Sequence, residues 1–512
     1  MMLKKLLVIS LMVILTISIF SATSHLTILH VNDTHGHAWQ FGEYHNPDIG
    51  GFAAVSTIVD AIKEEIESCG GDVLVLHAGD YNTGVPESDQ LDAVPDIVAM
   101  NMVGFDAVVL GNHEFDKERD VLKRQMELID FPVLSANILN EKGERPVQPY
   151  EIFDFDDLSV AVYGLTTRKT EYLEPIYLDN WYFENVVETS EKFLPELNQK
   201  ADVVVALAHL GYGPGDDSEY NTSDDLANAF DNLDVIVDGH SHTLFEEPPY
   251  LNETILVQAG DWNKYVGRLD LTIVDGEVVD YSWEAIPVNV KNYLGDGEYE
   301  YVGEPVERDP KVKAALDYFM KLGDEKLNEV VGKTEEFLSA KDVRSGGTNL
   351  SNLITDAMLW KTDADIALQN SGGIRASIQP GGITYRDILT VLPFGNTVYL
   401  FELTGNELLD VLDYAVTADS GAYPQFAGVD LVSEDGEIQK LFIDGRPVDG
   451  DKTYRLVTNN YLAFGGDGYN VLSERTEKGY DTGFVLADVV KDYIAHLGTI
   501  EEYTDEARYI RK

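Results

Sequence analysis

From Leu26 onward the first half of the chain sets short apolar runs between stretches of helical period. Leu26–Val31, Asp72–His77, Ala107–Leu110, Val133–Ala136, Val160–Tyr163, Val203–Ala208 and Val235–Val237 are rich in Val, Leu, Ile and Ala, and they predict buried strands. Phe52–Ile66 and Asn185–Gln199 repeat their apolar positions at helical spacing and predict helices packed between them. Thr254–Ala259 and Val266–Val274 extend the strand pattern toward residue 290. Alternation of this kind predicts a layered α/β arrangement whose chemistry collects at strand ends.

The pattern breaks over residues 291–309, which are rich in Gly, Tyr, Glu and Pro, and Pro310–Leu327 then reads as an amphipathic helix. The expected division is a signal segment at 1–24, a first domain at 25–292, a linker with connecting helix at 293–330, and a second domain at 331–512. A chain of 512 residues is long enough for roughly two to four domains with full cores. Cys69 is the single cysteine, so cohesion must come from packing and bound metal rather than an internal disulfide. At the amino end, Lys4 and Lys5 precede the apolar run Leu6–Phe20 and the small residues Ser21, Ala22, Thr23 and Ser24. This predicts an export signal, cut after Ser24 or after Ser21 or Ala22, and a periplasmic or extracellular destination. An uncleaved anchor is the alternative, although the run is short for a membrane span.

Charge narrows the partners. The formal net charge is −53, a surface that repels nucleic acid backbones and anionic membranes. The expected partner is a small molecule, with no nucleic acid and no stable membrane association beyond the signal. Oligomeric state stays open. An anionic substrate on such a chain needs a locally positive site, made by metal ions or clustered arginines.

Five motifs fall at or just past predicted strand ends: Asn32-Asp33-Thr34-His35-Gly36, Ala78-Gly79-Asp80, Gly111-Asn112-His113-Glu114, Ala208-His209 and Gly239-His240-Ser241-His242. In the Asp33/His35 and His240/His242 pairs, period-two backbone can aim both side chains the same way. Carboxylate, imidazole and amide oxygen together suit borderline divalent ions such as Zn, Mn, Fe or Co. A lone histidine is more often structural, but five of the chain's eleven histidines stand in these motifs. Gly-His-Ser-His is not a nucleophile elbow, and no phosphate-binding P-loop is present.

The second half carries four glycine- or asparagine-rich segments. They are Arg344-Ser345-Gly346-Gly347-Thr348-Asn349, Asn370-Ser371-Gly372-Gly373-Ile374-Arg375, Leu392-Pro393-Phe394-Gly395-Asn396, and the run from Asn460 to Tyr469. Arginine forks set among small residues suit phosphate or carboxylate. Aromatic rings beside turns suit stacking, though they also serve as ordinary packing.

Together these motifs resemble the calcineurin-like metallophosphoesterases and, more narrowly, the 5′-nucleotidases. The resemblance implies a mixed α/β and α+β chain: a four-layer β-sandwich flanked by helices, joined by a helix to a second α/β substrate-binding domain. It implies two divalent metal ions, one held by Asp33, His35 and His242, the other by Asn112, His209 and His240, with Asp80 bridging. Some relatives carry Gln where this chain has His242. His113 is implied to work beside the phosphoryl group, oriented by Asp116. In the second domain, Arg344 and Arg375 are implied to contact phosphate or carboxylate-like groups, and Asn370 to sit by the base. Phe394 and Tyr461 would sandwich the base, and Asp467 would accept from the ribose hydroxyls. The implied reaction is hydrolysis of nucleoside 5′-monophosphates. The alternatives are a 2′,3′-cyclic-nucleotide 2′-phosphodiesterase with 3′-nucleotidase activity, a UDP-sugar hydrolase, a thiosulfate-oxidation esterase, and a binding protein without catalysis.

Overall fold

The computed structural model describes residues 23–43, 46–173, 177–178, 180–213, 221–295 and 298–512. The expected signal lies outside these residues except for Thr23 and Ser24, which open the first strand, Thr23–Val31. A cut after Ala22 leaves that strand whole, whereas a cut after Ser24 shortens it.

Two six-stranded sheets build the first domain. In the first sheet, Thr23–Val31, Asp72–His77, Ala107–Val109 and Val133–Leu134 run parallel, and Tyr265–Val274 and Glu277–Pro287 close one edge antiparallel. In the second, Ser159–Thr166, Val203–His209, Val235–Val237 and Thr254–Val257 run parallel between antiparallel edge strands Tyr150–Asp154 and Tyr250–Leu251. Period two sorts the side chains. Leu26, Ile28, Leu74, Leu76, Val203 and Val205 fill the space between the sheets, while Leu29, Val31 and Val75 face outward to helices. Strands covered on both faces read as unbroken apolar runs, which is why the sequence shows them so clearly. Helices Phe52–Ser68 and Val94–Val103 cover the first sheet, and Val186–Lys200 covers the second, completing four layers.

Residues 291–309 are not plain linker. Lys291–Gly295 and Glu298–Tyr301 pair as antiparallel strands. Pro310–Leu327 begins with Asp309, whose carboxylate accepts from the Lys311 and Val312 amides, a helix N-cap followed by proline. Its Val312 and Leu316 join the helical layer of the first domain, and the Trp39 indole donates to the Leu316 carbonyl.

The second domain centres on a five-stranded sheet ordered Pro424–Ala427, Ile366–Asn370, Thr453–Asn459, Thr397–Thr404 and Gly479–Val485. Helices Asn349–Thr362 and Leu486–Leu497 pack in a core on one face, and Gly405–Ala415 packs in a core on the other. Thr348, Thr384 and Thr404 each close a capping box at a helix start, fixing where the chain turns from loop to helix. Arg386 ties the domains together, reaching Glu87 at 3.3 Å and Asp324 of the connecting helix at 2.5 Å.

Candidate active site

Every metal-type motif sits at the carboxyl end of a parallel strand of the sandwich. Asp33 and His35 follow Thr23–Val31, Asp80 follows Asp72–His77, and Asn112 and His113 follow Ala107–Val109. His209 ends Val203–His209, and His240 and His242 follow Val235–Val237. The period-two reading of the two pairs is corrected by the backbone. Asp33, His35, Asp80, His240 and His242 all take left-handed φ, between 46° and 75°. The strands stop at Val31 and Val237, and beyond them the chain curls so that amides, as well as side chains, point inward. The His240 amide thus donates to both Asp33 carboxylate oxygens at 3.0 Å. Asp and His are among the few non-glycine types that tolerate this conformation.

Among the described residues, three groups of His and Asp converge: Asp33, His35 and His242; His35, Asp80 and His113; and Asp80, His209 and His240. His35 Nε2 lies 3.2 Å from His242 Nε2, and His242 Nε2 lies 3.4 Å from Asp33 Oδ1. On the other side, His209 Nε2 is 2.9 Å from Asp80 Oδ2, and His240 Nδ1 is 2.9 Å from Asn112 Oδ1. Glycine makes this approach feasible. A Cβ at Gly111 would stand 2.1 Å from Asp80 Oδ1, and one at Gly79 would stand 2.8 Å from His209 Nδ1.

The donor set fits divalent ions, and hydrogen bonding shows why. His35 Nδ1 is 2.9 Å from the Thr83 carbonyl, and His209 Nδ1 is 2.7 Å from the Ala78 carbonyl. A carbonyl only accepts, so each Nδ1 carries a proton and each Nε2 faces the centre. His209 Nε2 is buried and lies 2.9 Å from Asp80 Oδ2. Charge tells the same story. Burial disfavours protonated His209, yet the Asp80 and Asp33 carboxylates outweigh it and push the imidazole up to about 10. Burial likewise opposes ionised Asp80, but His209 and His113 hold its carboxyl well below the usual range. Carboxylates that draw a proton onto the buried His209 imidazole form a site that attracts cations.

His113 stands beside this centre with its side chain one-third exposed, and its Nδ1 is 2.8 Å from Asp116 Oδ2. Two residues to which the sequence reading gave no role complete the arrangement. Thr83, β-branched yet at φ 60°, donates its hydroxyl to the same Asp116 oxygen at 2.5 Å while its carbonyl holds His35. Glu114 is buried, and its carboxylate accepts from the backbone amides of Asp80, Tyr81, Asn82 and Gly111. It pins the Asp80 and Asn112 loops together. Burial, with the charge of Asp80, pushes its carboxyl up to about 7. The Gly-Asn-His-Glu spelling contained this signal, but a buried acid shared by four amides is visible only in three dimensions.

In the second domain, Arg344 and Arg375 line one cavity of about 450 Å³ with Asp342, Ser345 and Ile374. The Arg375 guanidinium stands 5.7 Å from the centre of the Phe394 ring, which is 58% exposed. Tyr461 is 46% exposed, and its hydroxyl donates to Asp467 Oδ1 at 3.0 Å. Asn370 is buried and donates to Asp467 Oδ2 at 2.8 Å, while its own amide oxygen accepts from Asn459. Every hydrogen bond and ring contact described for these residues stays inside the second domain. That domain approaches the metal-type centre through Asp481, whose carboxyl is pushed up to about 6 by burial, with Asp116 adding repulsion.

Paired sheets with a donor cluster at their strand ends, followed by a separate aromatic and arginine cluster, define a two-domain phosphoesterase. Residues 26–244 match the calcineurin-like phosphoesterase family, and residues 330–474 match the 5′-nucleotidase C-terminal domain. The chain is 40% identical to a 5′-nucleotidase of Vibrio vulnificus across 92% of this chain and 90% of that one. It is also 40% identical to protein UshA of Escherichia coli, covering 92% and 91%. A solved 5′-nucleotidase precursor from Thermus thermophilus is 31% identical, with a TM-score of 0.59 over 95% of this chain and 99% of that chain. The chain belongs to the 5′-nucleotidase family.

Proposed function

We propose that this protein hydrolyses nucleoside 5′-monophosphates to nucleoside and phosphate. The observation that carries this reading is the convergence of Asp33, His35, Asp80, His209, His240 and His242 in adjoining groups, with His113 beside His35 and Asp80 and with Asn112 Oδ1 2.9 Å from His240 Nδ1. One ion would be held by Asp33, His35 and His242, the other by Asn112, His209 and His240, with Asp80 common to both. The native pair is drawn from Zn, Mn, Co and Fe. When bound, the ions supply Lewis acidity toward phosphoryl oxygen and acidify water.

The side chains do the rest. With its Nδ1 proton committed to Asp116, His113 can take a proton at Nε2 and hold it against phosphoryl oxygen or the departing ribose oxygen. Thr83 and Asp116 keep that ring at the edge of the centre. Arg344 and Arg375 supply the positive charge that an acidic chain otherwise withholds from an anion. Phe394 and Tyr461 offer ring faces to the base, a contact open to every base. Asp467, braced by Tyr461 and Asn370, accepts from ribose. The protein is exported to the periplasm or beyond; no helix among the described residues is long and apolar enough to cross a membrane.

The test is phosphate release from mature protein loaded with Mn, Co or Zn. The panel holds AMP, 2′,3′-cyclic AMP, 3′-AMP, ADP and UDP-glucose. Dominant, metal-dependent turnover of AMP is expected. Preference for the cyclic or 3′ compound would overturn the substrate class while leaving the metal reading in place.

A further inference from the structure

Six of the seven proposed ligands are buried or partly buried, whereas His242 is exposed. An exposed imidazole on a left-handed loop needs something else to hold its ring. That something is Asp261, whose Oδ2 lies 3.2 Å from His242 Nδ1 and whose Oδ1 lies 2.6 Å from Lys264 Nζ. The turn carrying Asp261 is itself fastened. Trp262 and Asn263 are consecutive left-handed residues at φ 56° and 57°. The Trp262 amide donates to the Asp33 carbonyl at 2.9 Å, and the Asn263 side chain donates to the His37 carbonyl at 3.0 Å. The Trp262 ring stacks on His37 with centroids 4.7 Å apart and planes 10° from parallel. Asp261 is therefore fixed against the loop that bears Asp33 and His35.

We infer that Asp261 is a positioning residue that holds the His242 ring with Nδ1–H toward its carboxylate and Nε2 toward the ion, and thereby sets the affinity of that one metal site. The inference rests on the proposed reading in which Asp33, His35 and His242 hold an ion together. It also gives a reason for histidine at 242. An imidazole has a second nitrogen that a carboxylate can orient and make more basic; a glutamine in its place has no such ring nitrogen.

The experiment titrates the metal-free mature protein with Co²⁺, followed by visible absorption, and with Zn²⁺, followed by calorimetry. The variants are Asp261→Asn, His242→Gln, the pair combined, and His242→Ala. Asp261→Asn should weaken one of the two sites by about 10- to 100-fold and leave the other unchanged. His242→Gln should weaken the same site, and Asp261→Asn added to it should change the affinity by less than about twofold. An Asp261→Asn effect equally large in the His242→Gln background would overturn the inference, as would no effect at all. If His242→Ala, which removes every donor atom of the side chain, leaves both sites intact, the ligand reading fails and the inference with it, a pattern distinct from the other two. One measurement does not depend on the Asp261 variant folding. Spectra of ¹⁵N-histidine in the Zn-loaded wild type, assigned with His242→Gln, should show the Nδ1-protonated form at His242, and the Nε2-protonated form would sink the inference.

Discussion

The centre around Asp80 and the cluster around Asp467 are built on opposite plans. At the first, the donor atoms are mostly buried, the backbone is left-handed at five positions, and glycines at 79 and 111 leave no room for a methyl group. At the second, the two candidate stacking rings are about half exposed, and the arginines line an open cavity rather than a sealed one. The difference teaches where each kind of precision is needed. Phosphoryl transfer demands fixed charges at fixed separations, so the first site is assembled before substrate arrives. Recognition of a base by stacking tolerates slack, and open rings admit more than one base.

The largest effect should come from the chemical edge of the first site. If the ring acts as proposed, on charge that develops in the transition state, His113→Ala should lower kcat by about 10³-fold while KM moves by less than about threefold. Steady-state rates on AMP decide it. A rise in KM with kcat preserved would break the comparison by making His113 a binding residue.

Next in size is Glu114→Gln. Both oxygens of the carboxylate are engaged, Oε1 by Tyr81 and Asn82 and Oε2 by Asp80 and Gly111. An amide turns one of those acceptors into a donor facing donors. The expected cost is about 3 kcal/mol of stability, read from denaturant midpoints, together with weaker metal binding. Unchanged stability would show that the loops are held by their own backbone and not by this acid.

Phe394→Ala addresses the second site. Removing one candidate stacking ring should raise KM for AMP about tenfold and leave kcat nearly unchanged, the mirror image of His113→Ala. A fall in kcat instead would mean that the ring aligns the phosphate as well as holding the base.

How much of each site is legible in the sequence follows from the same contrast. Asp72–His77, Val235–Val237 and Pro310–Leu327 stand at the bounds their patterns predict, because strands covered on both faces and an amphipathic helix write their burial into the chain. Val133–Ala136 pairs only as Val133–Leu134, since the Ser135 and Ala136 amides leave the first sheet to bond Gln148 and Gly164. The paired strands Lys291–Gly295 and Glu298–Tyr301 are hidden because their Tyr and Glu residues suit exposed strand and loop alike. The ligand motifs are legible as short spellings, but their left-handed backbone is not. Nor are Thr83, Glu114 and Asp261 legible as supports, because each acts on residues distant in the chain.

The smallest effect on turnover asks whether all burial in the first domain serves the site. Asp96 is fully buried, accepts from Ser88 Oγ, and has its Oδ1 without a hydrogen-bond partner. Burial pushes its carboxyl from 3.8 up to about 8. Between those values the folded state holds a proton that the unfolded state has released, so stability falls as pH rises from about 4 to 8 and then levels. Asp96→Asn removes that titration while keeping an oxygen for Ser88. At pH 4 the variant should match or fall slightly below the parent. At pH 8 it should gain several kcal/mol of stability, since the parent carboxyl moves from 3.8 to about 8 and each pKa unit is worth about 1.4 kcal/mol, with AMP turnover unchanged. Glu114 is a buried acid tied by four amides to the loops that carry the ligands, whereas Asp96 has one hydroxyl and no part in the site. A gain at pH 8 without loss of turnover would separate the two kinds of burial, and a loss of turnover would extend the assembled region to the helix beneath residues 86–89.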